Sequence, residues 1–195
     1  MIDAPTQALD WEARFGGGNT PWERPEYNPA FLAWRASAVL MPCRILVPGA
    51  GRSAEPAALA EAGFAVTVVD GAPSAVAFQR GRLAAFGAQV VHADLFAWEP
   101  AEPFDAIYDQ TCLCALPPPA WRDYAARLET WLRPGGLLAI LFMQTGQAGG
   151  PPFNCDLATM RGLFALERWT WPEALPAQVS HPNGFTEQPA ALVRR

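Results

Sequence analysis

The chain has 195 residues, 51% of them hydrophobic, and carries a net charge of −5 with an isoelectric point near 5.0. That length supports one domain with a real core. Its 14 basic residues are all Arg and are scattered singly, which disfavours nucleic acid as a partner and excludes a mechanism needing a Lys base or Schiff base.

In chain order, Met1 to Asp10 is polar with no basic or apolar run, so no secretory leader is expected. No apolar run reaches the length of a bilayer, and a soluble, cytoplasmic protein without membrane contact is the expectation. The four cysteines, Cys43, Cys112, Cys114 and Cys155, fit no zinc spacing and are expected to be reduced, with no metal bound. Trp11, Phe15 and Trp22 flank a glycine run, Gly16 to Gly18. The segment reads either as a lid or as an N-terminal helix whose aromatics pack on the sheet. Asn28 to Leu40 reads as a helix beginning at Pro29, with Phe31, Leu32, Val39 and Leu40 on its inner side.

Ile45 to Asp70 organises the rest. Ile45 to Val47 is a short apolar strand, Gly49-Ala50-Gly51 a tight turn, and Glu55 to Ala62 a helix stopped by Gly63. Phe64 to Val69 is a second strand that delivers Asp70 to its end. Strand, glycine turn, helix, strand and acid form the pattern of a βαβ site for an adenosine-containing ligand, the acid meeting the ribose hydroxyls.

Pro73 to Phe86 is predicted helical and Gln89 to Val91 a third strand, after which Asp94 could meet a ring amine of adenine. Phe104 to Tyr108 is a fourth strand leading into Asp109. Pro117 to Leu132 is a helix whose Trp121, Tyr124, Leu128 and Trp131 recur at core spacing. Arg133-Pro134-Gly135-Gly136 reads as a turn into the strand Leu137 to Met143. A short helix near Asp156 to Phe164 follows, and Leu166 to Trp171 could pair with Phe185 to Arg194 antiparallel at the sheet edge. Alternating strands and helices give an α/β open sheet covered on both faces, with ligands at the carboxyl ends of the strands. No Tyr-x-x-x-Lys pattern or catalytic Lys is visible, which counts against a nicotinamide enzyme.

Several of these segments together resemble the thiopurine S-methyltransferase family and its bacterial thiol and halide methyltransferase relatives. The resemblance rests on Trp11-Glu-Ala-Arg-Phe15 with Asn19-Thr20-Pro21-Trp22, and on Val47-Pro48-Gly49-Ala50-Gly51-Arg52 with Glu55. It is carried further by Tyr108-Asp109-Gln110-Thr111 with Cys114-Ala115-Leu116-Pro117, by Leu132-Arg133-Pro134-Gly135-Gly136, and by Gly149-Gly150-Pro151-Pro152-Phe153. It implies a Rossmann-like class I methyltransferase fold, a mostly parallel seven-stranded sheet with helices on both faces and a late antiparallel strand. Residues 1–195 would form a single domain, with 1–40 as lid or helical segment and 41–195 as core.

The resemblance also implies S-adenosylmethionine as cofactor, a small thiol as methyl acceptor, and a monomer. Trp11 looks like the family tryptophan covering the methionine end of the cofactor, and Gly49 and Gly51 look like its backbone cradle. Asp70 matches the ribose acid, and Asp94 with Leu95 the adenine pair. Gln110 falls at a pocket-facing position and is grouped with the cofactor contacts. Trp22, Pro152 and Phe153 fall where the substrate is met, and Asp109 is the one acid placed to receive a proton. Phe15, Ala50, Ser53 and Gln110 depart from residues common in the family. Methylation of an oxygen or nitrogen on a small metabolite, and a cofactor-binding sensor without turnover, remain as alternatives.

Overall fold

The computed structural model describes residues 10–195, so the leader expectation for Met1 to Leu9 lies outside the described residues. Two short helices, α1 (Trp11–Gly16) and α2 (Pro29–Ala36), precede the first strand. The chain then alternates β1 (Arg44–Pro48), α3 (Glu55–Glu61), β2 (Ala65–Asp70), α4 (Pro73–Leu83) and β3 (Gln89–His92). It continues through β4 (Phe104–Gln110), α5 (Cys112–Ala115), a 3-10 turn, α6 (Trp121–Trp131), β5 (Leu132–Gln144) and α7 (Leu157–Leu163). It closes with β6 (Trp169–Thr170), β7 (Val179–Ser180) and β8 (Thr186–Arg194). No helix among the described residues is long and apolar enough to cross a membrane.

The strands form one eight-stranded sheet in the order β3-β2-β1-β4-β5-β8-β6, with β7 paired to β8 off that path. Strands β1 to β5 are mutually parallel, and β8 runs antiparallel to β5 from Leu137↔Val193 to Gln144↔Thr186. Strand alternation sends β1 side chains to two separate cores. Ile45 and Val47 join Phe31, Trp34, Leu59, Tyr108 and Leu141 on one face, whereas Leu46 joins Tyr124, Leu128, Trp131, Ile140 and Phe142 on the other. Burial on both faces is why these strands read as continuous apolar runs rather than alternating ones.

Four expectations need correction. Helix α2 stops at Ser37, and Ala38 takes a left-handed φ of 58°, so Val39 lies beyond the helix and is 38% exposed. Leu32 is 50% exposed; Trp34 takes the inner place instead. Arg133 to Gly136 is an irregularity within β5 rather than a turn before it, because Leu132 already pairs with Phe104 and the register then shifts to Ala106↔Leu137. Gly136 fits there because a Cβ would stand 2.8 Å from the Arg133 carbonyl. The sheet has eight strands where seven were expected, because the two-residue strands β6 and β7 both add to β8; the expected antiparallel pairing of the late segments at the sheet edge is present as β6 with β8, Trp169↔Arg194 and Thr170↔Val193.

Helix α6 carries the expected core stripe, with Tyr124, Leu128 and Trp131 fully buried. The Trp131 indole also donates to the Glu99 carboxylate at 3.0 Å. Replacing Trp131 by Ala should cost about 3–5 kcal/mol in urea unfolding, whereas Leu32→Ala on the exposed face of α2 should stay within about 0.5 kcal/mol.

Candidate active site

A cavity of about 460 Å³ opens along the carboxyl ends of the strands. One wall comes from the ends of β1, β2 and β3: Gly49 to Gly51, Asp70 to Ala72, and Asp94 to Phe96. The opposite wall comes from the chain after β4, the end of β5 and the turn before β8, through Thr111, Cys114, Leu116, Met143, His181 and Asn183. Trp11, Phe15 and Trp22 cover it from the N-terminal segment, and Pro151 and Pro152 from the loop after β5. Its volume is in the range that holds small molecules.

The glycine turn is shaped by its neighbours. Gly49 and Gly51 both have positive φ, 54° and 53°. A Cβ on Gly49 would meet the Cys112 sulfur at 2.7 Å, and one on Gly51 the Phe15 ring at 3.1 Å. Asp70, 7% exposed, accepts the Gly51 N–H at 2.8 Å on one carboxylate oxygen and the Ala72 N–H at 2.9 Å on the other. Burial pushes its pKa up while these backbone donors oppose the shift. Gln79 on α4 donates to the carbonyls of Gly51 and Ser53, so the turn is held from below on both sides.

Helix α1 is an attached cover rather than a free lid. Glu12 accepts from the Ser74 N–H at 2.8 Å and from its hydroxyl, at the start of α4. The rings of Trp11 and Phe15 each meet Trp22 edge-on, at 5.5 and 5.9 Å. The Arg14 guanidinium lies 5.9 Å from Trp11 and 5.7 Å from Trp22, and Arg52 lies 5.3 Å from Phe15. Arg52 is in turn paired with Glu23 at 2.6 Å.

Of the residues singled out from sequence, Trp11, Trp22, Gly49, Gly51, Asp70, Asp94, Leu95 and Pro152 all line this cavity. Asp109, Gln110 and Phe153 do not. Strand β4 runs on through Gln110, two residues beyond its predicted end, so Asp109 and Gln110 still project to the two faces of the sheet. Asp109 is fully buried: one oxygen accepts from the Cys112 and Leu113 N–H groups, the other from the Tyr124 hydroxyl at 2.8 Å. It caps α5 from the sheet and is no proton acceptor for a molecule in the cavity. Gln110 instead accepts the Tyr108 hydroxyl at 2.6 Å. Phe153 packs on the core beneath its loop, with its N–H on the Cys114 carbonyl.

Sequence reasoning missed His181 and Met143 as cavity residues. Met143 ends an apolar strand and carries no signal apart from core. His181 stands before Pro182-Asn183-Gly184, a turn sequence that marks an exposed bend far more often than a site. The cysteines are free thiols, and Cys112 and Cys114 are pushed well above the ordinary thiol range by burial. No metal-binding group of His, Cys, Asp or Glu occurs among the described residues.

The cavity's chemistry fits an adenosine with a positively charged tail. The buried Asp70 carboxylate suits a diol. Asp94 accepts the Phe96 N–H on one oxygen, its other oxygen has no partner among the described residues, and Leu95 beside it is apolar. Trp11 and Trp22 line the same cavity, and aromatic rings of this kind attract cations. The one basic residue of the glycine turn, Arg52, is already paired with Glu23, so a pyrophosphate finds no charge partner there.

The model of the family described as "Thiopurine S-methyltransferase (TPMT)" matches residues 6–192. The chain is 32% identical over 180 residues to thiopurine S-methyltransferase of Pseudomonas fluorescens, covering 82% of each. It is 31% identical over 153 residues to the probable thiol methyltransferase 2 of Arabidopsis thaliana, covering 76% of this chain and 68% of that one. The solved 1,6-didemethyltoxoflavin-N1-methyltransferase of Burkholderia thailandensis, with bound S-adenosylhomocysteine, superposes with a TM-score of 0.73 at 22% identity, over 94% of this chain and 84% of that one. At that identity the likeness is one of fold: a class I methyltransferase sheet with its late antiparallel strand.

Burial raises the Asp109 pKa from 3.8 to about 6, against hydrogen bonds that lower it. The folded chain therefore keeps a proton between these values that the unfolded chain releases, and this contribution to stability is lost as pH rises through about 6. An Asn at this position does not titrate. Relative to Asp109→Asn, the wild-type protein should lose about 1–2 kcal/mol of unfolding free energy between pH 5 and pH 7.5 in urea titrations. A pH-independent difference would contradict this.

Proposed function

The chain belongs to the thiopurine S-methyltransferase family, and we propose from that premise that it transfers a methyl group from S-adenosylmethionine to the sulfur of a small thiol. The observation that carries the reading is the joint presence of Asp70, Asp94 and Trp11 on the wall of one cavity at the carboxyl edge of the sheet. When bound, S-adenosylmethionine supplies a methyl group made electrophilic by the positive charge on its sulfur.

The chain's own residues bind, orient and exclude water. Asp70 receives the ribose hydroxyls with a carboxylate already fixed by Gly51 and Ala72, so little reorganisation accompanies binding. Gly49 and Gly51 give the backbone close approach, and Asp94 with Leu95 takes the adenine end. Trp11 faces the charged tail. Trp22, Pro152, Met143 and Leu116 give the acceptor an apolar chamber, where holding two reactants in line supplies much of the rate. Asp109 has no part in proton transfer in this scheme, since a thiol of low pKa enters already ionised.

In this reading the whole chain works as one unit, with 1–40 as its cover and 41–195 as its core. It acts in the cytoplasm as a monomer on a small molecule, and nucleic acid and membrane are not partners. The scattered Arg residues and acidic balance support that exclusion.

Calorimetric titration is the direct test. S-adenosylmethionine and S-adenosylhomocysteine should each bind with one site per chain, NADH should not, and a thiophenol acceptor should yield its methyl thioether. Absence of adenosyl binding would overturn the reading. Asp70→Asn should weaken S-adenosylhomocysteine binding roughly tenfold to a hundredfold, by replacing a charged acceptor with a neutral amide. Asp109→Asn should keep thiol methylation within about threefold of wild type.

A further inference from the structure

The scheme above leaves two charges of the cofactor without partners. S-adenosylmethionine ends in an amino acid, and its carboxylate and ammonium are costly to take out of water unless the protein pairs them. The ribose and adenine acids lie on the wall formed by β2 and β3 and are already assigned.

Among the described residues lining the cavity, Arg14 is the only Arg, and the chain has no Lys. His181, the one His on the wall, is neutral at physiological pH because burial takes its pKa down to about 4. Arg14 makes no ion pair and donates no side-chain hydrogen bond among the described residues, unlike Arg24, Arg44, Arg52, Arg127, Arg133 and Arg168. Its guanidinium rests instead against two indoles, 5.9 Å from Trp11 and 5.7 Å from Trp22. A guanidinium already held in place loses little freedom on gaining a partner, and its planar fork matches a carboxylate through two parallel N–H···O bonds.

Asp10 stands four residues earlier and lines the same cavity. One of its oxygens caps α1 through the Ala13 N–H at 2.9 Å, and the other has no partner among the described residues. An acid and an Arg four apart at the start of a helix are placed to pair with each other. Here they do not pair, so one short segment presents a free anionic oxygen and a free cation to the cavity. The remaining acids of the wall are engaged: Glu12 holds Ser74, Asp70 holds Gly51 and Ala72, and Asp94 serves the adenine end. The Asn183 side-chain nitrogen also lacks a partner among the described residues, but it is neutral and belongs to the turn before β8.

We propose that Arg14 and Asp10 form the site for the amino-acid tail of the cofactor, the guanidinium binding its carboxylate and the free Asp10 oxygen its ammonium. This inference rests on the methyl-transfer reading above. It gives α1 a task beyond covering the cavity, because the helix engages by charge a tail that a bare adenosine lacks. Anchoring the tail on α1 and the ribose on Asp70 fixes the sulfur between two points, and the direction of its methyl group with it.

The test is calorimetry on the intact chain with three ligands: S-adenosylhomocysteine, its decarboxylated analogue, which keeps the ammonium, and its deaminated analogue, which keeps the carboxylate. Arg14→Met, which keeps the length of the side chain, should weaken S-adenosylhomocysteine and the deaminated analogue about tenfold to a hundredfold and leave the decarboxylated one within about threefold. Asp10→Asn, which preserves the helix cap, should weaken S-adenosylhomocysteine and the decarboxylated analogue about threefold to tenfold and spare the deaminated one.

Equal weakening of all three ligands by Arg14→Met would make the residue merely structural and overturn the proposal. So would unchanged S-adenosylhomocysteine affinity in that variant with a selective loss of kcat/KM for mercaptobenzoate over thiophenol, which would assign the guanidinium to a carboxylate on the acceptor. Should a variant fail to fold, the wild type still decides: it should bind S-adenosylhomocysteine at least about tenfold more tightly than either analogue, and equal affinities would overturn the inference. Absence of adenosyl binding in the wild type would sink the methyl-transfer reading as well, whereas binding without discrimination among the three ligands would sink this inference alone.

Discussion

A single buried carboxylate sets the geometry on which the rest of the cavity depends. Asp70 takes one backbone N–H from the glycine turn after β1 and one from the start of α4, joining two consecutive βα connections at their tips. Burying that charge is costly, and the two backbone donors offset part of the cost, which is why the group persists at a 7% exposed site. From there the order propagates. Gln79 on α4 fixes the same turn through Gly51 and Ser53, Ser74 at the head of α4 anchors Glu12, and Glu12 places Trp11 over the opening.

A second polar network does the equivalent work at the other end. Glu187, fully buried on β8, accepts from Arg24 and from the Asn28 side chain at 2.8 Å each, and the Asn28 N–H donates to Glu55 on α3. The segment before α2 is thereby stitched to the hairpin that carries His181 and to the helix behind the glycine turn. Such a network is weak evidence for stability, since ion pairs buried this deeply often roughly balance their desolvation. Its value is positional. The N-terminal segment spans the cavity between two polar anchors, Glu12 at one end and Arg24 at the other.

Much of this was legible in the sequence because it is local. The run from Ile45 to Asp70 announces its elements through apolar blocks punctuated by glycine, and the structure keeps each of them within about a residue. The aromatics Trp11 and Trp22 and the loop prolines were likewise found, through family motifs. What failed was sidedness. Asp109 and Gln110 were read as lying past the end of β4, but the strand continues through both, and alternation turned one into the α6 core and the other toward Tyr108. Val39 failed for the mirror reason: the helix ended earlier than its pattern. The inner position of β8 and the role of the turn at His181 depend on pairings between distant segments, and no local pattern records them.

The placement of β8 bears on how the chain is made. Strands β1 to β5 emerge in sequence from the ribosome with their parallel neighbours, yet β5 keeps one apolar edge bare until Thr186–Arg194 arrives to cover it. During synthesis the nascent sheet therefore presents a long, unpaired ladder over Leu137 to Gln144, the kind of edge on which chains associate with one another. The hairpin that completes the cavity wall is also the strand that ends this exposure. Competence and colloidal safety are reached in the same late step.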